Sequence, residues 1–141
     1  MVNSATRSPS RLWLPIACLL FLVGCGGPIR VPIEGNVRFS DGEPVRTGKI
    51  ELRGREPGVR AAAVLDDEGR FALRTDDGAL GLPPGDYDVA IVQIVLVEHR
   101  SLEEHGHGRP LSRKYADYFT SGLTASVPES GIRDLVITVE P

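Results

Sequence analysis

From Val31 to the C-terminus, short apolar stretches alternate with polar residues and are broken by Gly, Pro and Asp roughly every eight to twelve positions. That rhythm constrains the fold more than any other feature, because a side-chain period of two fits a strand with one buried face and does not fit a helix. Val31, Ile33, Gly35, Val37 and Phe39 alternate with Glu34, Asn36 and Arg38 as a first strand. Ser40-Asp41-Gly42-Glu43-Pro44 is then a turn, with Gly42 free to take a positive φ and Asp41 able to bond its own backbone. Gly48 to Leu52 makes a second strand and Val59 to Leu65 a third. Asp66-Asp67-Glu68-Gly69 is expected to close a hairpin onto a fourth strand, Arg70 to Arg74.

Leu82-Pro83-Pro84-Gly85 stops the preceding structure and launches a long strand from Tyr87 through Val97. Its Ala90 to Val97 part is apolar on both faces except at Gln93, as in a central strand covered on both sides. Glu98 to Ser112 is polar and irregular, and reads as a protruding loop. Arg113 to Phe119 has room for one or two helical turns, with Tyr115, Tyr118 and Phe119 capping the core edge or forming a small recognition patch. Leu123 to Val127 and Ile132 to Val139 complete the strands. The fold class this predicts is all-β, a seven- to eight-stranded antiparallel β-sandwich in one domain, residues 31–141.

The first 24 residues follow a different pattern. Arg7 and Arg11 are their only charges, and the twelve residues from Leu12 to Val23 are apolar and interrupted by Pro15. About 20 residues are needed to span a bilayer as a helix, so this order of basic start, short apolar run and small residues reads as an export signal rather than an anchor. The run ends in Leu22-Val23-Gly24-Cys25-Gly26-Gly27, which resembles the lipobox of bacterial lipoproteins. The resemblance implies diacylglyceryl transfer to the Cys25 thiol, cleavage before it, acylation of the new amine, and a short tether over residues 25–30. Several acyl chains on one residue, at about 0.8 kcal/mol per buried CH₂, hold a protein durably on a membrane. Gly26, where the enteric sorting pattern places Asp in retained proteins, favours the outer membrane.

Cys18 lies in the discarded run, so no thiol would remain for a disulfide, a metal or catalysis. Removing Arg7 and Arg11 from the 16 Lys and Arg leaves 14 against 19 Asp and Glu, a formal charge of −5. That acidic body argues against nucleic acid as a partner.

The strand and turn motifs also carry a family resemblance. Gly35-x-Val37-x-Phe39-x-Asp41-Gly42-x-Pro44-Val45, then Asp67-x-Gly69-x-Phe71-x-Leu73, then Leu82-Pro83-Pro84-Gly85-x-Tyr87-x-Val89 together resemble the carboxypeptidase regulatory-like, transthyretin-like sandwich. Lys114-Tyr115-x-Asp117 and Thr120-Ser121-Gly122-Leu123-Thr124 look like the short lipoproteins of planctomycete-type bacteria. The resemblance spans nearly the whole mature chain. It implies a prealbumin-type sandwich without established activity, serving as a spacer, a folding aid or a carrier of ligand-binding surface.

Chemistry-bearing clusters are few. Glu98-His99, Glu103-Glu104-His105 and His107 have metal-ligand character, since neutral imidazoles beside carboxylates hold zinc, copper or nickel. This makes a metal-binding or metal-sensing envelope protein using His99, His105 and His107 the alternative to a structural or interaction module. The Asp66 to Gly69 run is too short for an EF-hand, and Ser121 and Ser126 lack a His/Asp arrangement for nucleophilic catalysis. Transthyretin-like hydrolases end in a Tyr-Arg-Gly-Ser tail, where this chain ends Thr138-Val139-Glu140-Pro141. The two tyrosines and two histidines that hold iron in intradiol dioxygenases have no equivalent spacing here. The expected protein is therefore not an enzyme, needs no cofactor, and meets the membrane through its lipid and an envelope protein through its surface.

Overall fold

A computed structural model describes residues 29–93 and 108–141. Eight strands are formed among them: β1 Ile33–Phe39, β2 Gly48–Gly54, β3 Arg60–Leu65, β4 Arg70–Ala72, β5 Arg74–Thr75, β6 Gly85–Val92, β7 Leu123–Val127 and β8 Ile132–Val139. A 3₁₀ turn, Arg113–Ala116, and the single-turn helix α1, Tyr118–Ser121, separate β6 from β7. The strands form a three-stranded sheet in the order β4-β1-β8 and a five-stranded sheet in the order β5-β3-β2-β6-β7. Their inner faces share one core, so the described residues form an all-β, sandwich-like unit.

Alternation places the core. Ile33, Val37 and Phe39 of β1 and Ile137 and Val139 of β8 meet Ile50 and Leu52 of β2 and Tyr87, Val89 and Ile91 of β6. The residues between them point outward: Glu34, Asn36 and Arg38 on one sheet, Lys49, Glu51 and Arg53 on the other. Ala90 is the exception. It lies on the outer face of β6 and is still buried, because the 3₁₀ turn and α1 pack across that strand. The expected two-sided cover is thus met at Ala90 and ends at Val92, which is exposed. The strand expected to run on to Val97 stops at Val92, with Gln93 already outside it and turned to bond Arg46 and Arg109, and residues 94–97 lie outside the described residues.

Two features differ from the expected antiparallel hairpins. β8 pairs with β1 in parallel, with Gly35 opposite Leu135 and Phe39 opposite Val139, while the other pairings are antiparallel. The β7–β8 turn hands the chain from the five-stranded sheet to the three-stranded one, so β8 is not bound to run against its predecessor. The run Arg70 to Arg74 is also two strands rather than one: β4 bonds to β1, and β5 bonds to β3 in the other sheet. Leu73, fully buried, sits at the crossing. The Asp66 turn therefore links the two sheets instead of closing a hairpin ladder. The turn itself forms as expected, with Asp66 Oδ1 accepting from the backbone N–H groups of Glu68 and Arg70.

The long strands β1, β2, β6 and β8 run between two ends of the sandwich and give it a polarity. At one end lie Ile29 to Pro32, the β2–β3 loop, the Asp76–Asp77 turn, Pro83–Pro84 and the Pro128–Gly131 turn; Ile132 N–H donates to Pro32 O at 2.9 Å there. At the other end lie the Ser40–Pro44 turn, the Asp66–Gly69 turn and Gln93, which is bonded to Arg46 and Arg109.

Candidate functional site

The residues singled out for chemistry, Leu22, Val23, Gly24 and Cys25 of the lipobox and His99, His105 and His107, lie outside the described residues. Three places within those residues carry functional interest: the point where the chain enters the sandwich, the outer face of the five-stranded sheet, and the clefts between them.

The entry is held by charge and by backbone. Arg30 Nη1 donates to Thr75 Oγ1 at 3.1 Å, and the guanidinium donates to both oxygens of Asp77 at 3.0–3.1 Å. Asp77 also accepts from the Thr75 hydroxyl and from Ala79 N–H. The Arg30 bonds, followed by those of Thr75 and Ala79, hold its carboxyl well below the usual carboxylate range. One residue on, Val31 and Leu82 exchange backbone hydrogen bonds at 2.9 and 3.2 Å. Gly81 makes this approach possible: its φ is +81°, and a Cβ there would stand 1.9 Å from Val31 O. Local pattern puts Arg30 in the tether of residues 25–30, because its bidentate partner lies 47 residues away and has no local signature.

On the outer face, Arg53 lies 4.1 Å from the centre of the Tyr118 ring and 5.2 Å from that of Phe119. Tyr118 donates its hydroxyl to Glu51 Oε2 at 3.0 Å, and Lys49 pairs with the same carboxylate. Burial first, then the bond to Glu51, pushes the Tyr118 phenol up to about 12. The three aromatics have separated fates. Tyr115 is a core residue whose hydroxyl accepts from Glu140 N–H, Tyr118 is half-buried, and Phe119 is 87% exposed. Core capping is thus met by Tyr115 and corrected for Phe119. The cause is helix geometry: Asp117 caps α1 by accepting from Phe119 N–H, and this sets consecutive side chains about 100° apart, so Tyr118 and Phe119 do not share a direction.

Beside Phe119 is an open cleft of about 410 Å³ lined by Arg53, Arg55, Pro57 and Asp88 among others. A second, about 370 Å³, lies between Val59, Pro83, Pro84 and Tyr87 at the entry end. Tyr87 donates its hydroxyl to Pro83 O at 2.6 Å, tying that end of β6 to the loop before it. Neither cleft contains a nucleophile beside a base. Ser121 is buried with its hydroxyl donated to Val89 O at 2.6 Å and accepting from Leu123 N–H, which is a structural role. Among the described residues no three His, Cys, Asp or Glu side chains converge as a metal site, and no helix is long and apolar enough to cross a membrane.

Compared with known proteins, the chain matches no family model, no curated protein and no solved structure. What the fold and site define is therefore a class: an all-β, sandwich-like domain with a clamped N-terminal entry and an exposed cationic-aromatic surface.

Proposed function

We propose that this chain is a lipid-anchored interaction module of a bacterial cell envelope, exported by residues 1–24, acylated on Cys25, and carrying a sandwich of the carboxypeptidase regulatory-like, transthyretin-like class. It performs no catalysis and docks an envelope protein. The observation that carries the docking role is Phe119, 87% exposed with the Arg53 guanidinium near its ring. Arg and aromatic side chains dominate the energetic centres of protein interfaces, and leaving a phenyl ring in water forgoes on the order of 1.5–3 kcal/mol of burial that a partner would recover. Lipidation rests on the order of basic start, short apolar run and Leu22-Val23-Gly24-Cys25.

The test places a photo-crosslinking phenylalanine analogue at position 119 of the full chain in cells, with position 64, also exposed, as control. The expected result is a discrete protein adduct from 119 that is absent from 64 and lost with Arg53→Ala. Equal adducts at both positions, or adducts to lipid alone, remove the docking role. Mass spectrometry of the membrane-fraction protein checks the anchor: an intact Met1 terminus or an unmodified Cys25 thiol ends that part of the reading.

A further inference from the structure

We infer that the Arg30 end of the sandwich is the face held against the lipid surface, and that the end bearing the Ser40–Pro44 turn faces away from it. This rests on the lipid-anchor reading and assigns that anchor a geometry.

The constraint is covalent. Arg30 is the fifth residue after Cys25, and a fully extended chain spans at most about 3.6 Å per residue, so no more than about 18 Å separates the acylated residue from the clamp. The clamp holds the entering chain at two consecutive residues. Arg30 is bonded to Thr75 and to both oxygens of Asp77, and Val31 is locked to Leu82 by two backbone hydrogen bonds. From this point β8 runs the length of the domain. It starts at Ile132, where Ile132 N–H meets Pro32 O, and ends at Val139, whose carbonyl accepts from Ser40 N–H. Eight residues, seven steps of about 3.3 Å rise, put the two ends roughly 23 Å apart. A tether shorter than the body it holds leaves the far end without access to the bilayer unless the body lies on its side.

Charge does not produce the orientation. Arg55 and Arg60 at the entry end are offset by Asp76, Asp86 and Glu129, and Ile29 adds an apolar side chain that is 79% exposed. An end with both signs has no strong preference for anionic headgroups. The same orientation is therefore expected on zwitterionic and on anionic bilayers, and at low and high salt.

The experiment uses the acylated full chain in phosphatidylcholine vesicles, with and without phosphatidylglycerol, and headgroup-linked energy acceptors. With Cys18 removed and Cys25 acylated, Glu129→Cys and Glu43→Cys each present one thiol for a donor dye, at the entry end and the far end; both sites are exposed. The expected result is at least about twofold more transfer from position 129 than from 43, in both lipid mixtures, with the two ends roughly 23 Å apart. Inserting twenty Gly/Ser residues between Gly27 and Pro28 lengthens the tether to about 25 Å r.m.s. and is expected to bring the two signals together. Equal transfer in the unmodified chain, or a difference seen only with phosphatidylglycerol, overturns the orientation while leaving the anchor intact. Protein that remains in the supernatant removes anchor and orientation together.

Discussion

Arg30 and Asp77, 47 residues apart in the chain, form a two-pronged ion pair that fastens the start of the sandwich to the turn beyond β5. A carboxyl whose pKa is lowered on folding adds stability above its unfolded value, near 3.8, and loses it as pH falls below that toward the lowered folded value. Asp77→Asn should therefore lower the urea midpoint at pH 7, with the gap to the parent protein closing as the solution is acidified below about 4. A constant gap across that range would show that the pair does not titrate with folding.

Gly35 sits at a close approach of β1 to β8. The ladder slips a register there, from Ile33 opposite Ile132 to Gly35 opposite Leu135, and a Cβ on Gly35 would lie 2.1 Å from Leu135 O and 2.9 Å from Leu135 Cβ. Since backbone is the obstacle, Gly35→Ala must push the parallel pair apart. The expected cost is about 1–3 kcal/mol, as for other overpacked sites, whereas Gly42→Ala meets nothing within 4 Å and is opposed only by its φ of +93°. Denaturant unfolding of the two variants compares them directly.

Leu73 occupies the crossing between the sheets and is fully buried, whereas Leu80, seven residues on, is more than half exposed. Leu73→Ala is expected to cost about 2–5 kcal/mol, and Leu80→Ala to stay within about 0.5 kcal/mol of the parent. Similar midpoints for both variants would mean that the crossing is not an anchor of the core.

Tyr118 shares the Glu51 carboxylate with Lys49, and burial together with that carboxylate raises its phenol to about 12. Glu51→Gln removes a negative charge that opposes phenolate formation. Followed by tyrosinate absorbance, one late-titrating group should move down toward the ordinary value of 10. An unchanged titration would leave burial as the sole cause of the shift.

The amino-acid sequence alone carried the local half of this fold. β7 and β8 begin and end where their alternation does, Gly42 takes its positive φ, and Asp41 accepts from Glu43 N–H two residues on. These depend on interactions within a few residues, which composition and period record directly. At the surface the legible part was smaller. The sequence marks Tyr115, Tyr118 and Phe119 as a group, but their division into core, flank and exposed ring depends on the turn of α1 across β6.

Tertiary structure alone decided which strands became neighbours. Alternation states that one face of a strand is buried and is silent about the partner, because backbone N–H and C=O groups are the same in every strand and pair with whichever edge the core brings near. The split of Arg70 to Arg74 at Leu73 and the parallel run of β8 beside β1 come from that competition for burial, and the grip of Arg30 on Asp77 at the surface follows from the neighbours it sets. β8 meets β1 across 99 to 100 residues, Arg30 meets Asp77 across 47 and β5 meets β3 across 12 to 14, and no short-range pattern encodes such a choice.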